Sequence, residues 1–587
     1  MRCKWLCLQW LLSHGLFGEV SCEQDDNALM RFVSEPNLRP PIINVTRYNT
    51  SLVTPGYWFI APYGDLGQQD PGNLFVPAQV GPHIFADDGT LIWSGAHLFP
   101  TRSICDFRLT TFQGKSALSF IVTARSSSSV YPHGAGIVLD SSYSQQRATP
   151  DLLNGTKLNM HEFDIRDNGS TTLLIHDMPI RHLEHSEHKW GFADSGFLEL
   201  DLTHEQVKFE WDAAEHLDRN TSTQAQPDPN AYAAWDWLHL NSVDRNAAGD
   251  YLLSARYTNA IYKVSGHDGS ILWQLGGSHA THRRVGFNFG RQHDARFVEE
   301  NATTTVISFL DNASDMVNMT SIMNSSALYV ALDHSSKTAR VIKRWYRPDG
   351  QLSTFRGNIQ TLLDSNVFVG WGSTNNYMTE HSFNGDLLME ARFLSDRIST
   401  YRAYKYFNFS GTPLYPPSLK AFVYCSADTA TTAFYVSWNG ATEVASWRFY
   451  AVGKSANAGR PRANSTLLGH IPKTSFETAF VWSGAATHVF AEAVSADDRS
   501  LRNSSVELSA ITETGGVQMN GSAVRHKAVD NKSPVRLSDA IDRDWLWTRT
   551  TASIQPVLLL FVGFSLSYLF RMIRAQHWHR RSRYKCG

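Results

Sequence analysis

Cysteine is scarce in this chain, with 6 in 587 residues. Cys3, Cys7 and Cys22 fall within the first 22 residues, and Cys586 lies one residue from the end. Only Cys105 and Cys425 remain for the body. They are far apart in sequence, which makes their pairing a poor expectation. A disulfide-stapled scaffold is therefore excluded, and the fold must rest on a large apolar core, for which the chain is long enough. Charge of one sign is lacking too: 53 Lys and Arg face 55 Asp and Glu, a formal net charge of −2. Nothing in that balance points to nucleic acid. Helical periodicity is almost absent, which argues against a helical body. Near the C-terminus one uncharged run, residues 554–570, is about long enough to cross a bilayer.

The chain ends carry targeting signals. MRCKWLCLQWLLSHGLFGEVSC has a basic start, an apolar stretch and small residues, the order of a signal peptide over residues 1–22. Trp545 and Trp547 precede the run at 554–570. Arg571, Arg574, Arg580, Arg581, Arg583 and Lys585 follow it without an acid among them. A buried core helix would not need that basic flank. Positive charge stays cytosolic, so the reading is a single-pass type I membrane protein with a cytosolic tail at 571–587. Its large domain then faces a secretory lumen or the cell surface. About fourteen Asn-X-Ser/Thr sequons lie between Asn44 and Asn531, and none follows the run. Cys586, among basic residues, suits acylation.

Between these ends one phrase recurs: an apolar strand, a polar turn often of Asp/Asn-Gly type, and a second apolar strand. It reads FADDGTLIW, IVLDSSYSQQ, LELDLTHEQVKFEW, KVSGHDGSILWQL, VALDHSSKTARVIKRW and EHSFNGDLLMEAR. Copies lie about 50 to 70 residues apart, which suits propeller blades rather than a solenoid. The expected fold class is all-β: a six-bladed β-propeller over residues 40–415. In the blade easiest to read, the first strand holds Trp237, His239, Asn241 and Val243 and the second runs from Tyr251 to Arg256. The third covers Ala260 to Val264 and the fourth Ser270 to Leu275. Pro413, Pro416 and Pro417 mark a boundary. Residues 418–510 suit a fibronectin- or immunoglobulin-like β-sandwich. The polar stretch 511–550 reads as a stalk.

Three histidines occupy matching places in consecutive blades: His161 in MHEFDIRDNG, His239 in WLHLNSVDRNAAG and His293 in QHDARFVEENATT. First strands usually line a propeller's channel, so the three should meet at one mouth. Arg256 in SARYTN should lie beside them. Three imidazoles can bind zinc with an open fourth position. A fixed cation next to a metal is unfavourable, so Arg256 favours an anion such as sulfate or phosphate, which a guanidinium grips through two oxygens. One imidazole can then attack while another moves a proton. Asp164, Asp294 and Asp311 could orient the histidines or satisfy turns. Trp235 and Trp237 suit core packing or the wall of an aromatic site. His279 and His282 fall in a polar loop and are expected at the surface.

The ordered set WLHLNSV, GDYLLSARYTNAIYKV, DGSILWQLGG, QHDARF and ISFLDNAS resembles the arylsulfotransferase family, in its fungal-type membrane or secreted branch. MHEFDIRDNG and VFVGWGS fit the same pattern over most of residues 50–415, and SWNGATEV is similar to the domain that often follows. The resemblance implies a six-bladed propeller. It also implies ping-pong sulfuryl transfer from an aryl sulfate to a phenol, without a nucleotide sulfate donor; no cofactor or metal is expected. His293 of Gln292-His293 would take the sulfuryl group. His239, Asn241 and Arg256 would hold and polarise sulfate, and His161 would complete the pocket. Tyr257 stands where a histidine often follows the arginine. No Gly-rich phosphate loop is visible, which suits a nucleotide-free route. A non-catalytic surface propeller that binds glycans or proteins is the alternative. Such a scaffold would have no need of the complete His161, His239, Arg256 and His293 set.

Overall fold

The computed structural model describes residues 28–64, 80–100, 102–124, 133–149, 152, 156–182, 189–314, 324–372, 376–395, 398–425, 429–453 and 465–513. The segment read as a signal peptide, most of the stretch read as a stalk, the apolar run at 554–570 and the basic residues after it lie outside them. Among the described residues no helix is long and apolar enough to cross a membrane.

The architecture is all-β. Each copy of the recurrent phrase forms an antiparallel hairpin, as in His83–Ala86 with Leu91–Ser94 and Ser195–Asp201 with Gln206–Asp212. The same holds for His133–Asp140 with Gln145–Ala148, Ala260–Val264 with Ile271–Gly276, Ser326–Asp333 with Thr338–Tyr346, and Met378–His381 with Leu387–Phe393. Two further strands precede each hairpin in its sheet. The innermost are Ser103–Phe112, Lys157–Arg166, Leu240–Arg245, His293–Glu300, Asn358–Thr361 and Ile398–Tyr406. They touch one another in that order, and the last returns to the first. The ring closes because early strands join late ones. Ile43–Arg47 pairs with Leu387–Phe393, and Tyr57–Gly64 pairs with Ile398–Tyr406. This is a propeller-like ring around a central axis.

The sheet read most fully from sequence is Leu240–Arg245, Tyr251–Ala255, Ala260–Val264 and Ile271–Gly276. Its turns use Gly249 at φ 92° and Gly269 at φ 75°, a left-handed backbone that side chains resist. The first strand starts later than expected, at Leu240, because His239 takes φ 55°. Arg256 falls just past the end of the second strand. Trp235 and Trp237 pack in the core beside Leu253 and Tyr262, and Trp237 Nε1 donates to Asp194 at 2.8 Å. They do not form an exposed aromatic wall.

Acid–arginine pairs lie on the inner strands. Arg108 grips Asp106 through two bonds of 2.9 Å, Arg166 holds Asp164 at 2.8 Å, and Arg296 holds Asp294 at 2.6 Å. Arg108 also reaches Glu162, and Arg166 reaches Asp244, which links neighbouring sheets. Asp164 and Asp294 thus neutralise arginines rather than orient histidines. Asp311 satisfies a turn, accepting from Gly290 N at 3.0 Å and Ala313 N at 3.1 Å.

Residues 418–513 form two more sheets, one built on Ser418–Cys425 and Ala430–Ser437, the other on Ser446–Val452 and His488–Val494. Leu419, Phe434, Trp447, Phe449 and Val489 share one core between them, the arrangement of a β-sandwich. The Asn-Gly turn of SWNGATEV docks this unit to the ring. Asn439 exchanges two bonds with Ser94, at 2.8 and 2.9 Å, and Tyr143 Oη donates to Gly440 O at 2.7 Å. Residues ahead of the ring take part as well: Phe32 packs on Phe476 at 4.4 Å, and Ser34 Oγ donates to Glu477 at 2.6 Å. Cys105 and Cys425 lie in different units and are not bonded to each other.

Candidate functional site

Ring closure brings the three sequence-selected histidines together. His161 sits within Lys157–Arg166, His239 directly precedes Leu240–Arg245, and His293 opens His293–Glu300. The rings of His161 and His239 meet edge to face at 4.9 Å, and those of His239 and His293 at 6.2 Å. All three are buried.

Each ring is held through Nδ1. His161 Nδ1 bonds Asn159 Oδ1, and Asn159 Nδ2 donates in turn to Asp177 at 2.7 Å. His239 Nδ1 meets Asp236 Oδ2 at 2.9 Å. His293 Nδ1 meets Asn312 Oδ1 at 2.7 Å, and Asn312 Nδ2 is anchored on Ser353 O and Arg356 O at 2.6 and 2.9 Å. An amide oxygen or a carboxylate can only accept, so every Nδ1 carries the proton and every Nε2 presents a lone pair. Consistent with that tautomer, the Arg356 backbone N–H donates to His293 Nε2 at 3.3 Å.

Burial pushes all three imidazoles well below the usual histidine range, and nearby positive charge adds to this. For His239 and His293 the largest charge contribution comes from Arg256; for His161 it comes from His239, then Arg402 and Arg256. Arg256 is itself buried, donates from Nη2 to Thr354 O at 2.9 Å, and has no carboxylate partner among the described residues. Its Nε has no hydrogen-bond partner among them. Tyr257 lies between two guanidiniums, 5.3 Å from Arg256 and 4.8 Å from Arg291, with its edge on His239 at 4.9 Å. The cluster thus combines neutral imidazoles with the charge of Arg256, a setting for an anion.

Asn241 and Gln292 are buried and already engaged. Asn241 Nδ2 donates to Gln292 O at 2.8 Å, and Gln292 Nε2 donates to Ala255 O and Ala260 O at 3.0 and 2.9 Å. They tie the His239 and His293 strands together. Sequence reasoning missed Asn159, Asp236, Asn312 and Arg356. Asp236 and Asn159 are close to their histidines in sequence and could have been found locally; Asn312 and Arg356 are not. His282 is a correction. His279 is exposed as expected, but His282 is buried, with its Nε2 3.2 Å from His334 Nδ1. The loop folds back over Trp273, whose ring lies 6.2 Å from His282.

The depressed histidines have a consequence for stability. Below about 6.5 the unfolded chain takes up protons that the folded site refuses. Unfolding free energy should therefore fall as pH drops from about 6.5, by up to about 1.4 kcal/mol per pH unit for each such group. His381, lowered to about 4 by burial, adds to the same window. Urea midpoints recorded between about pH 7 and pH 5 test this; a flat profile counts against neutral imidazoles.

Residues 121–394, which include His161, His239, Arg256 and His293, match the family model described as Arylsulfotransferase (ASST). Similar solved structures include a protein of unknown function from Bacteroides caccae, at 11% identity and TM-score 0.34, covering 60% of this chain and 99% of that one. The hydrazine synthase of Kuenenia stuttgartiensis matches at 8% identity and TM-score 0.34, with 78% and 69% covered. The Dos1 propeller matches at 8% identity and TM-score 0.26, with 60% and 70% covered. No curated protein matches the chain.

Proposed function

We propose that this protein, whose residues 121–394 match the arylsulfotransferase family model, moves a sulfuryl group from a phenolic sulfate ester to a phenol. The route runs through a histidine intermediate and uses no nucleotide sulfate donor. The observation that carries this reading is the meeting of three Nδ1-held imidazoles around Arg256, whose Nε is unsatisfied.

In the first half-reaction, the His293 Nε2 lone pair attacks the ester sulfur. A nitrogen–sulfur bond forms, the sulfur–oxygen bond to the aryl group breaks, and the phenol oxygen leaves with the bonding pair. Attack displaces the Arg356 N–H from Nε2, and that amide then faces a sulfuryl oxygen. Arg256 stabilises the negative charge on the sulfuryl oxygens. Burial is the main cause of the neutral state of His161 and His239, and a bound sulfate anion offsets the positive charge that adds to it, so one of them can carry a proton to the leaving oxygen. The second phenol returns that proton to the imidazole while its oxygen attacks sulfur. The nitrogen–sulfur bond breaks and neutral His293 is restored. Purified protein supplied with an aryl sulfate and a phenol should transfer sulfate with no nucleotide added. No transfer across a broad panel of aryl sulfates would favour the non-catalytic binder.

We read the ring as a six-bladed propeller over residues 40–415, followed by a fibronectin- or immunoglobulin-like sandwich at 418–510. The fungal-type anchored branch suits the stalk, apolar run and basic tail of the sequence, with the large domain lumenal or extracellular. Glycan occupancy tests that topology. Asn44, Asn220 and Asn408 are exposed and should carry glycans on protein from a secretory host. Asn312 is also in a sequon, but it is fully buried against His293 and should carry none. Peptide mapping that finds all four bare on protein from that host would count against the placement.

A further inference from the structure

A second cluster lies away from the histidine pocket. Thr171–Asp177, Ser195–Asp201 and Gln206–Asp212 run side by side, with His176 opposite Gly196 and Gly196 opposite Asp212. Since residue 196 has no side chain, its neighbours close over it. A Cβ there would lie 2.8 Å from both His176 Nε2 and Asp212 Oδ1. Those two atoms are 3.4 Å apart. Glu210, two residues before Asp212, projects on the same face of the edge strand. Among the described residues this is the group of three whose ligating atoms gather within 4.8 Å.

His176 is fully buried, yet among the described residues no hydrogen bond reaches either ring nitrogen, and Asp212 Oδ1 also lacks one. A buried imidazole with a purely structural role normally satisfies its nitrogens, as His239 does with Asp236. Here the imidazole is aimed at two carboxylates and bonded to neither.

We propose that His176, Glu210 and Asp212 bind one zinc ion. Zinc bonds to nitrogen and carboxylate oxygen are about 2.0–2.2 Å long, which sets neighbouring ligand atoms of a tetrahedron about 3.3 Å apart. The His176–Asp212 separation already matches. Two carboxylates balance the ion's charge, and the nitrogen ligand disfavours calcium and magnesium. Glu210 is exposed, which gives the ion a way in and leaves water for the fourth position. A bound ion would link these strands. It clamps the edge strand to the strand carrying Asp177, whose side chain points to the opposite face and steadies Asn159 beneath His161.

The test uses the full chain, stripped with chelator and titrated with zinc against a competing indicator. The wild type should take up one zinc per chain and gain thermal stability with it. Cobalt substituted for zinc should give the intense visible absorption of a tetrahedral centre. Glu210→Gln and Asp212→Asn alter side chains that reach solvent, so the fold should survive. Each should weaken zinc at least about a hundredfold, more than loss of an outer-shell partner costs. Failure of the wild type to bind zinc, or undiminished affinity in either variant, overturns the assignment.

Discussion

His293→Ala should fold and transfer nothing. The residue is the first of its strand and belongs to none of the apolar core clusters, so its loss leaves the sheet intact. What goes is the nucleophile. Without Nε2 at this position neither half-reaction has an acceptor for the sulfuryl group, and donor cleavage and acceptor sulfation should vanish together. Wild-type protein given donor alone should hold one labile sulfuryl group on a peptide containing His293. Arg256→Ala is the graded contrast. The guanidinium acts on charge that develops in the transition state, so its removal should slow transfer on the order of a hundredfold while leaving the intermediate detectable. His161→Ala and His239→Ala should also be slow, and unequally so, because only one of them carries the proton. Retained transfer in a folded His293→Ala protein would sink this mechanism and return attention to His161 and His239.

The largest effect on stability is expected at Arg402. Its side chain is fully buried and joins three carboxylates: Asp106 at 2.7 Å, Glu162 at 3.2 Å and Asp294 at 3.4 Å. It also donates to Asn241 O at 2.9 Å, which ties the closing strand Ile398–Tyr406 to the His239 region. Arg108 and Arg296 share the same acids, so removing Arg402 leaves the cluster with excess buried negative charge. Breaking one side of a buried ion pair commonly costs about 3–5 kcal/mol. Arg402→Ala should lose at least that much in denaturant unfolding. Glu162→Gln in the same chain should recover part of the loss, since it removes the surplus charge. An Arg402→Ala protein as stable as wild type would mean that the ring does not depend on this network.

The sequence by itself determined the hairpins and the turns between them. Alternation with period two and Asp/Asn-Gly turns are local signals, and every copy of the recurrent phrase became an outer hairpin. The histidines and Arg256 were also legible, because each histidine sits on or just before the first strand of its sheet and Arg256 directly follows a second strand. Even the acid–arginine pairs were visible in outline as Asp106-Phe107-Arg108, Asp164-Ile165-Arg166 and Asp294-Ala295-Arg296. Their meaning was not. Arg402 reaches Asp106 across 296 positions, a contact that exists only once the last inner strand closes on the first. Tertiary structure likewise decided that Asn312 steadies His293, that His282 is buried against His334, and that Trp237 packs inside rather than facing a ligand. Local patterning fixes which way a side chain points from its strand. What it meets there depends on which strand the ring places next to it, and that follows from closure, to which the whole chain contributes.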